Sequence, residues 1–191
     1  MAVTTKKRNQ APQGTRAQLR QKRARQKQTR RILYTSLAVL FAAGLAALLL
    51  WDVLTPKPGQ YVPSQGNAHI TEDQIGQVTY NTSPPTSGPH LGSLAPWGVH
   101  DQPIANELQV HNLEDGGVIV HYSCVEGCPD LVAQLEEIVG HYQEGVILEP
   151  YPEMATRIAL TAWQRIDQFD EFDEERIADF IQAYRGDDHH R

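Results

Sequence analysis

Cys124 and Cys128, in the run Ser-Cys-Val-Glu-Gly-Cys-Pro, are the residues of this chain best suited to redox or soft-metal chemistry. They fall where a β-prone run gives way to a helical one. A helix N-terminus stabilises a thiolate, because its unsatisfied amides and dipole favour negative charge. Three readings fit the pair: thiolates holding a metal, a redox-active couple, and a static disulfide. A disulfide here closes a short ring and removes less chain entropy than a long-range bridge. The redox reading is weakened by the spacing, since the usual motif has two intervening residues and this one has three. The chain also has eight histidines, His69, His90, His100, His111, His121, His141, His189 and His190. Imidazole and thiolate suit copper or zinc, and Met154 offers a thioether that favours Cu(I). A lone histidine in a strand or loop is nevertheless more often a hydrogen-bonding group than a ligand. No two of these histidines have the i, i+4 helical spacing of a zinc hydrolase, and there is no Gly-x-Ser-x-Gly elbow or phosphate loop. Hydrolase and nucleotide chemistry therefore rank low, and no catalytic residue is assigned.

The elements that must position these groups lie in the C-terminal two-thirds. Segment 79–104 carries five prolines and three glycines and reads as a long ordered loop, with Leu91, Leu94, Trp97 and Val99 to pack it down. Asp115-Gly116, between two β-prone runs, signals a hairpin. In that register His111 faces Val120 and stands about 13 Å from Cys124, so a histidine site using His90 and His111 would be separate from the cysteines. Residues 129–142 place Leu131, Leu135, Ile138 and Val139 at helical spacing; 146–151 and 157–166 read as strands; and Asp173 opens a final helix with Ile177, Phe180, Ile181 and Tyr184 on one stripe. The order predicts an α+β domain, helices packed on a mixed or antiparallel sheet.

Twenty residues, 32–51, carry no charge and span about 30 Å as a helix, with Tyr34 and Trp51 near the ends. Residues 1–31 hold eleven Lys and Arg and no acid, and the remainder has six basic against twenty-three acidic side chains, a balance of −17. The positive-inside bias predicts a single-pass protein of the cell membrane with a cytoplasmic N-terminus. The expected organisation is a disordered basic tail (1–31), a transmembrane helix (32–51), a tether (52–75) and an extracytoplasmic domain (76–191). The basic tail lacks aromatic platforms for bases, so its expected partner is the lipid bilayer rather than nucleic acid.

The segment CVEGCPDL resembles, over about eight residues, the Cys-x-x-x-Cys-Pro motif of Sco-type copper chaperones, in which two thiolates and a distant histidine bind copper. A longer resemblance covers most of 76–190. Thr-Ser-Gly-Pro-His (86–90), Ala-Pro-Trp-Gly-Val (95–99), Val-His-Asn-Leu-Glu-Asp-Gly-Gly-Val (110–118), the cysteine segment and Leu-Thr-Ala-Trp (160–163), in that order, are similar to the bacterial family catalogued as domain of unknown function 3105. That resemblance implies a membrane-anchored extracytoplasmic domain with histidines in two fixed runs, here His90 and His111. The family pattern has His-Asn-Leu-Glu-His-Gly-Gly, and Asp115 stands where the second histidine would be. A carboxylate can replace imidazole as a ligand but is harder and less suited to Cu(I). The expectation is a domain that binds or delivers a transition metal, copper first, in the assembly of a respiratory membrane complex. His90, His111, Asp115 and Met154 are the candidate ligands, with Cys124 and Cys128 as a copper or redox pair. The alternatives are an accessory subunit of a membrane complex with a structural disulfide, and a thiol-disulfide oxidoreductase.

Overall fold

The computed structural model describes residues 13–54, 56–124 and 127–190. The chain divides into two compact units, Met1–Pro56 and Lys57–Arg191. The first is built on one helix, α1 (Gln13–Leu54), of which Gln18–Leu48 is long and apolar enough to cross a membrane. Its Leu40, Phe41 and Leu48 side chains are exposed, a surface that water disfavours and hydrocarbon does not. The Thr35 hydroxyl donates to the Ile32 carbonyl (2.9 Å), so the span satisfies that polar group internally. The basic segment expected to be disordered is helical from Gln13 onward, in keeping with its Ala, Leu, Gln, Lys and Arg content; residues 1–12 lie outside the described residues.

The second unit is an α+β domain on a six-stranded mixed sheet. Its strands are β1 (Gln60–Tyr61), β4 (Gly98–Val99), β5 (Val118–Tyr122), β6 (Val146–Pro150), β7 (Ile158–Ala162) and β8 (Arg165–Phe169), in the spatial order β1-β8-β7-β5-β6-β4. β5 pairs parallel with β6 and antiparallel with β7, with Ile119 opposite both Ile147 and Thr161. The parallel pair needs a crossover, which α3 (Pro129–Val139) supplies. A separate two-stranded parallel pair joins β2 (His69–Ile70) to β3 (His90–Leu91), with His69 beside His90. Segment 52–75, expected as a tether, thus contributes two strands.

Alternation along the strands gives the sheet two different faces. Val118, Val120, Val146, Leu148, Ile158 and Leu160 pack with Leu135 and Ile138 of α3 and with Ile177, Phe180 and Ile181 of α4 (Glu174–Tyr184) in the main core. Asp173 caps α4 by accepting the Arg176 N–H at 3.1 Å. The opposite face carries Ile119 and Ile147 and is covered by α2 (Asn106–Glu114) and the 79–104 loop. Asn112 clamps that loop with two 2.9 Å hydrogen bonds to the backbone of Ala95.

Two sequence expectations are corrected here. The hairpin at Asp115-Gly116 is a helix-to-strand turn: residues 106–114 form α2, Asp115 is its C-cap, and Gly116 takes φ +79°. The misreading has a physical source. Glu107, Gln109, Val110, His111, Asn112, Leu113 and Glu114 are all buried, so α2 is enclosed nearly all round and shows no apolar stripe. The run 157–166 is not one strand but the hairpin β7–β8, turning at Trp163-Gln164, where Gln164 adopts φ 60°.

Candidate metal centre

Once 106–114 is a helix, His111 and Glu114 stand at i, i+3 on its last turn, beneath the β2–β3 pair. Glu114 is buried, and its Oε1 accepts from Asn67 Nδ2 at 2.7 Å. The other oxygen, Oε2, is the point on which four imidazoles converge. His90 Nε2 is 3.0 Å away, His190 Nε2 3.5 Å, and His69 Nε2 and His111 Nδ1 are each 4.0 Å away. The rings of His69, His90 and His111 form a near-equilateral triangle with centroids 5.1 to 5.3 Å apart.

The protons on this cluster constrain what it can do. His90, fully buried, places Nδ1 2.8 Å from the Gly88 carbonyl, which accepts the Nδ1–H. His90 Nε2 therefore faces a Glu114 carboxylate oxygen, and that contact needs a proton or a cation between the two atoms. His111 Nδ1 is buried with no hydrogen-bond partner, and burial pushes that imidazole below its ordinary pKa despite the opposing pull of Asp115. An uncharged imidazole with an unused nitrogen is what a metal ligand requires. The Gly88 carbonyl and Asn67 act as outer partners that fix the His90 tautomer and the Glu114 orientation. The donor atoms of His69, His90, His111 and Glu114 all lie within 4.8 Å of one another. A tetrahedral ion with 2.0–2.1 Å bonds wants ligand atoms about 3.4 Å apart, so small side-chain movements suffice to close the set.

A second group adjoins it. His111 Nε2 lies 3.9 Å from Asp115 Oδ1, and His190 Nε2 lies 3.1 Å from the same oxygen. The segment bearing His190 is tied down by Gly186 N–H donating to the Gly116 carbonyl (2.8 Å), His189 N–H donating to the Glu114 carbonyl (2.9 Å) and His189 stacked on Trp163.

Of the six residues singled out from sequence as metal ligands, His90, His111 and Asp115 fall in this neighbourhood. Met154 does not: it packs with Tyr151 and Ala159 near the other end of α2, where the Tyr151 hydroxyl donates to Asn106. Cys124 and Cys128 are joined as a disulfide, with Cα atoms 5.8 Å apart, and pack against the core on the α3–α4 face. No sulfur ligand joins the histidines among the described residues. His69, Glu114 and His190 were missed. Glu114 was hidden by the strand reading that removed its i, i+3 relation to His111, whereas the His189-His190 doublet was a signal available for the tail.

One further buried polar group lies on the α2 side. His121 Nε2 contacts the Thr161 hydroxyl at 2.8 Å, and Nδ1 approaches Glu149 Oε1 to 2.9 Å without hydrogen-bond alignment. Glu149 Oε2 accepts from the Ile104 N–H at 2.6 Å. All three side chains are fully buried, so the cluster presents no group to a substrate.

A family model described as a protein of unknown function (DUF3105) matches residues 69–191. No curated protein and no solved structure gives a significant match.

Proposed function

Taking as premise that the chain belongs to the DUF3105 family, we propose that its folded domain binds a divalent transition-metal ion through His69, His90, His111 and Glu114. The domain sits outside the cell membrane that α1 spans, with the basic segment on the cytoplasmic side. The convergence of four imidazoles on Glu114 Oε2, one of them with a buried, unpartnered nitrogen, carries this reading. The excess of Lys and Arg before the span supports the orientation.

Imidazole and carboxylate, with the thioether elsewhere and the two cysteines in a disulfide, favour Cu2+ or Zn2+ over the Cu+ expected from the cysteine motif. If copper is the cargo, it is held as Cu2+ at this centre rather than by the cysteine pair. His69 is more than half exposed while His90 and Glu114 are enclosed, which gives an ion one solvent-facing side for loading and for handing on. Delivery to an assembling respiratory membrane complex is the destination proposed from sequence. A redox role for the disulfide is the second reading, supported by the position of Cys128 as N-cap of α3.

The test is equilibrium titration of the full chain in detergent, stripped of metal, with Zn2+ and Cu2+. Wild type is expected to hold at least one equivalent, His90→Ala and Glu114→Gln to lose it, and Cys124→Ser/Cys128→Ser and Met154→Leu to keep it. Unchanged binding in the His90 and Glu114 variants, or no binding by wild type, overturns the proposal.

A further inference from the structure

His111 belongs to both ligand groups through different nitrogens. Nδ1 looks toward Glu114 Oε2 and has no hydrogen-bond partner, while Nε2 looks toward Asp115 Oδ1. On the far side of Asp115, His190 is oriented by Asp188, whose Oδ1 lies 2.8 Å from His190 Nδ1 and accepts the His190 backbone N–H at 3.0 Å. That pairing occupies Nδ1 and leaves Nε2 directed at Asp115 and Glu114. A carboxylate holding the remote nitrogen of an imidazole is the arrangement that orients metal-ligating histidines. The backbone bonds of Gly186 and His189 to the last turn of α2 keep His190 there.

We propose that the chain holds two divalent ions rather than one. The buried ion lies among His69, His90, His111 Nδ1 and Glu114, and the outer ion lies among His111 Nε2, Asp115 and His190, so that the His111 ring bridges them. This rests on the metal reading above and extends it. A neutral imidazole has one lone pair, so both nitrogens can ligate only when the ring N–H is lost. As the outer metal–nitrogen bond forms, the Nε2 proton passes to water, and the positive ion already on Nδ1 makes that loss easier. Two divalent ions against Glu114, Asp115, Asp188 and one imidazolate leave the assembly formally neutral.

The experiment uses the metal-free full chain in detergent with Cu2+ as the probe, following binding stoichiometry and the electron paramagnetic resonance signal together. Wild type is expected to saturate at two Cu2+, with signal intensity falling well below twice that of the one-copper form because the spins couple through the shared ring. His190→Ala and Asp115→Asn are each expected to saturate at one Cu2+ with a full, uncoupled signal. Saturation of wild type at one Cu2+ overturns the two-ion inference while the single-site reading stands. Two ions bound without spin coupling overturn the His111 bridge, and two ions retained by His190→Ala overturn the outer site drawn here. No Cu2+ or Zn2+ bound by wild type sinks both.

Discussion

On one face of the central sheet Val118, Val120, Leu148 and Leu160 meet apolar side chains of α3 and α4, whereas on the other His121, Glu149 and Thr161 are enclosed under a helix that also buries Glu107, Gln109, Asn112 and Glu114. The buried side-chain atoms without a hydrogen-bond partner, among the described residues, belong to this second side: Thr82, Thr86, Gln109, His111, His121 and Glu149. Burying a polar group is unfavourable unless it is paired, so this layer is held in place by the stability of the other. The comparison separates two tasks. The apolar face buries the larger hydrophobic cluster, and the second face, with the smaller one around Leu113, Ile119 and Ile147, keeps ligand-type groups desolvated and oriented.

The largest effect that would sharpen this contrast is expected from Phe180→Ala. Phe180 is fully buried and packs edge-on against Tyr184 at 4.8 Å, and its truncation is expected to destabilise the domain by about 3–5 kcal/mol. Chemical denaturation measures the loss, and metal affinity of the remaining folded protein should be unchanged. Asn67→Ala tests the opposite face. It removes the hydrogen bond that holds Glu114 Oε1 and is expected to weaken metal binding by about 10- to 100-fold, read by competition titration, with little change in the metal-free melting temperature. The smallest effect is expected from Cys124→Ser/Cys128→Ser. Chain entropy for so short a loop gives at most about 2 kcal/mol, and the pair lies on the apolar side, so stability should fall modestly and metal affinity not at all. A large loss of metal in this variant would break the separation of the two faces.

The same contrast decides how much could be read from sequence. α3 and α4 bury one stripe each, so their periodicity announced them, and β5 and β6 begin with the short continuous apolar runs of strands buried on both faces. α2 buries polar and apolar residues alike, and its Leu-Gln-Val-His-Asn-Leu run before Asp115-Gly116 imitated a hairpin arm. The candidate site inherited that difficulty. His90 and His111 were found through the runs that carry them, and Asp115 through its place in the pattern. Glu114 needed the helix, and His69 needed the parallel β2–β3 register, which no local spacing encodes. The cysteine motif drew attention to the end of β5, whereas the histidines gather near its beginning, at the C-terminal end of α2.

The register that sets His69 beside His90 has a topological consequence. An ion bound to His69, His90 and His111 ties together three points of the chain and closes two successive loops of roughly twenty residues each. The proline-rich cover over the sheet, 79–104, is divided between them at His90. Such an ion would work as a removable staple, adding coordination bonds to the Asn112–Ala95 hydrogen bonds that already hold the cover down.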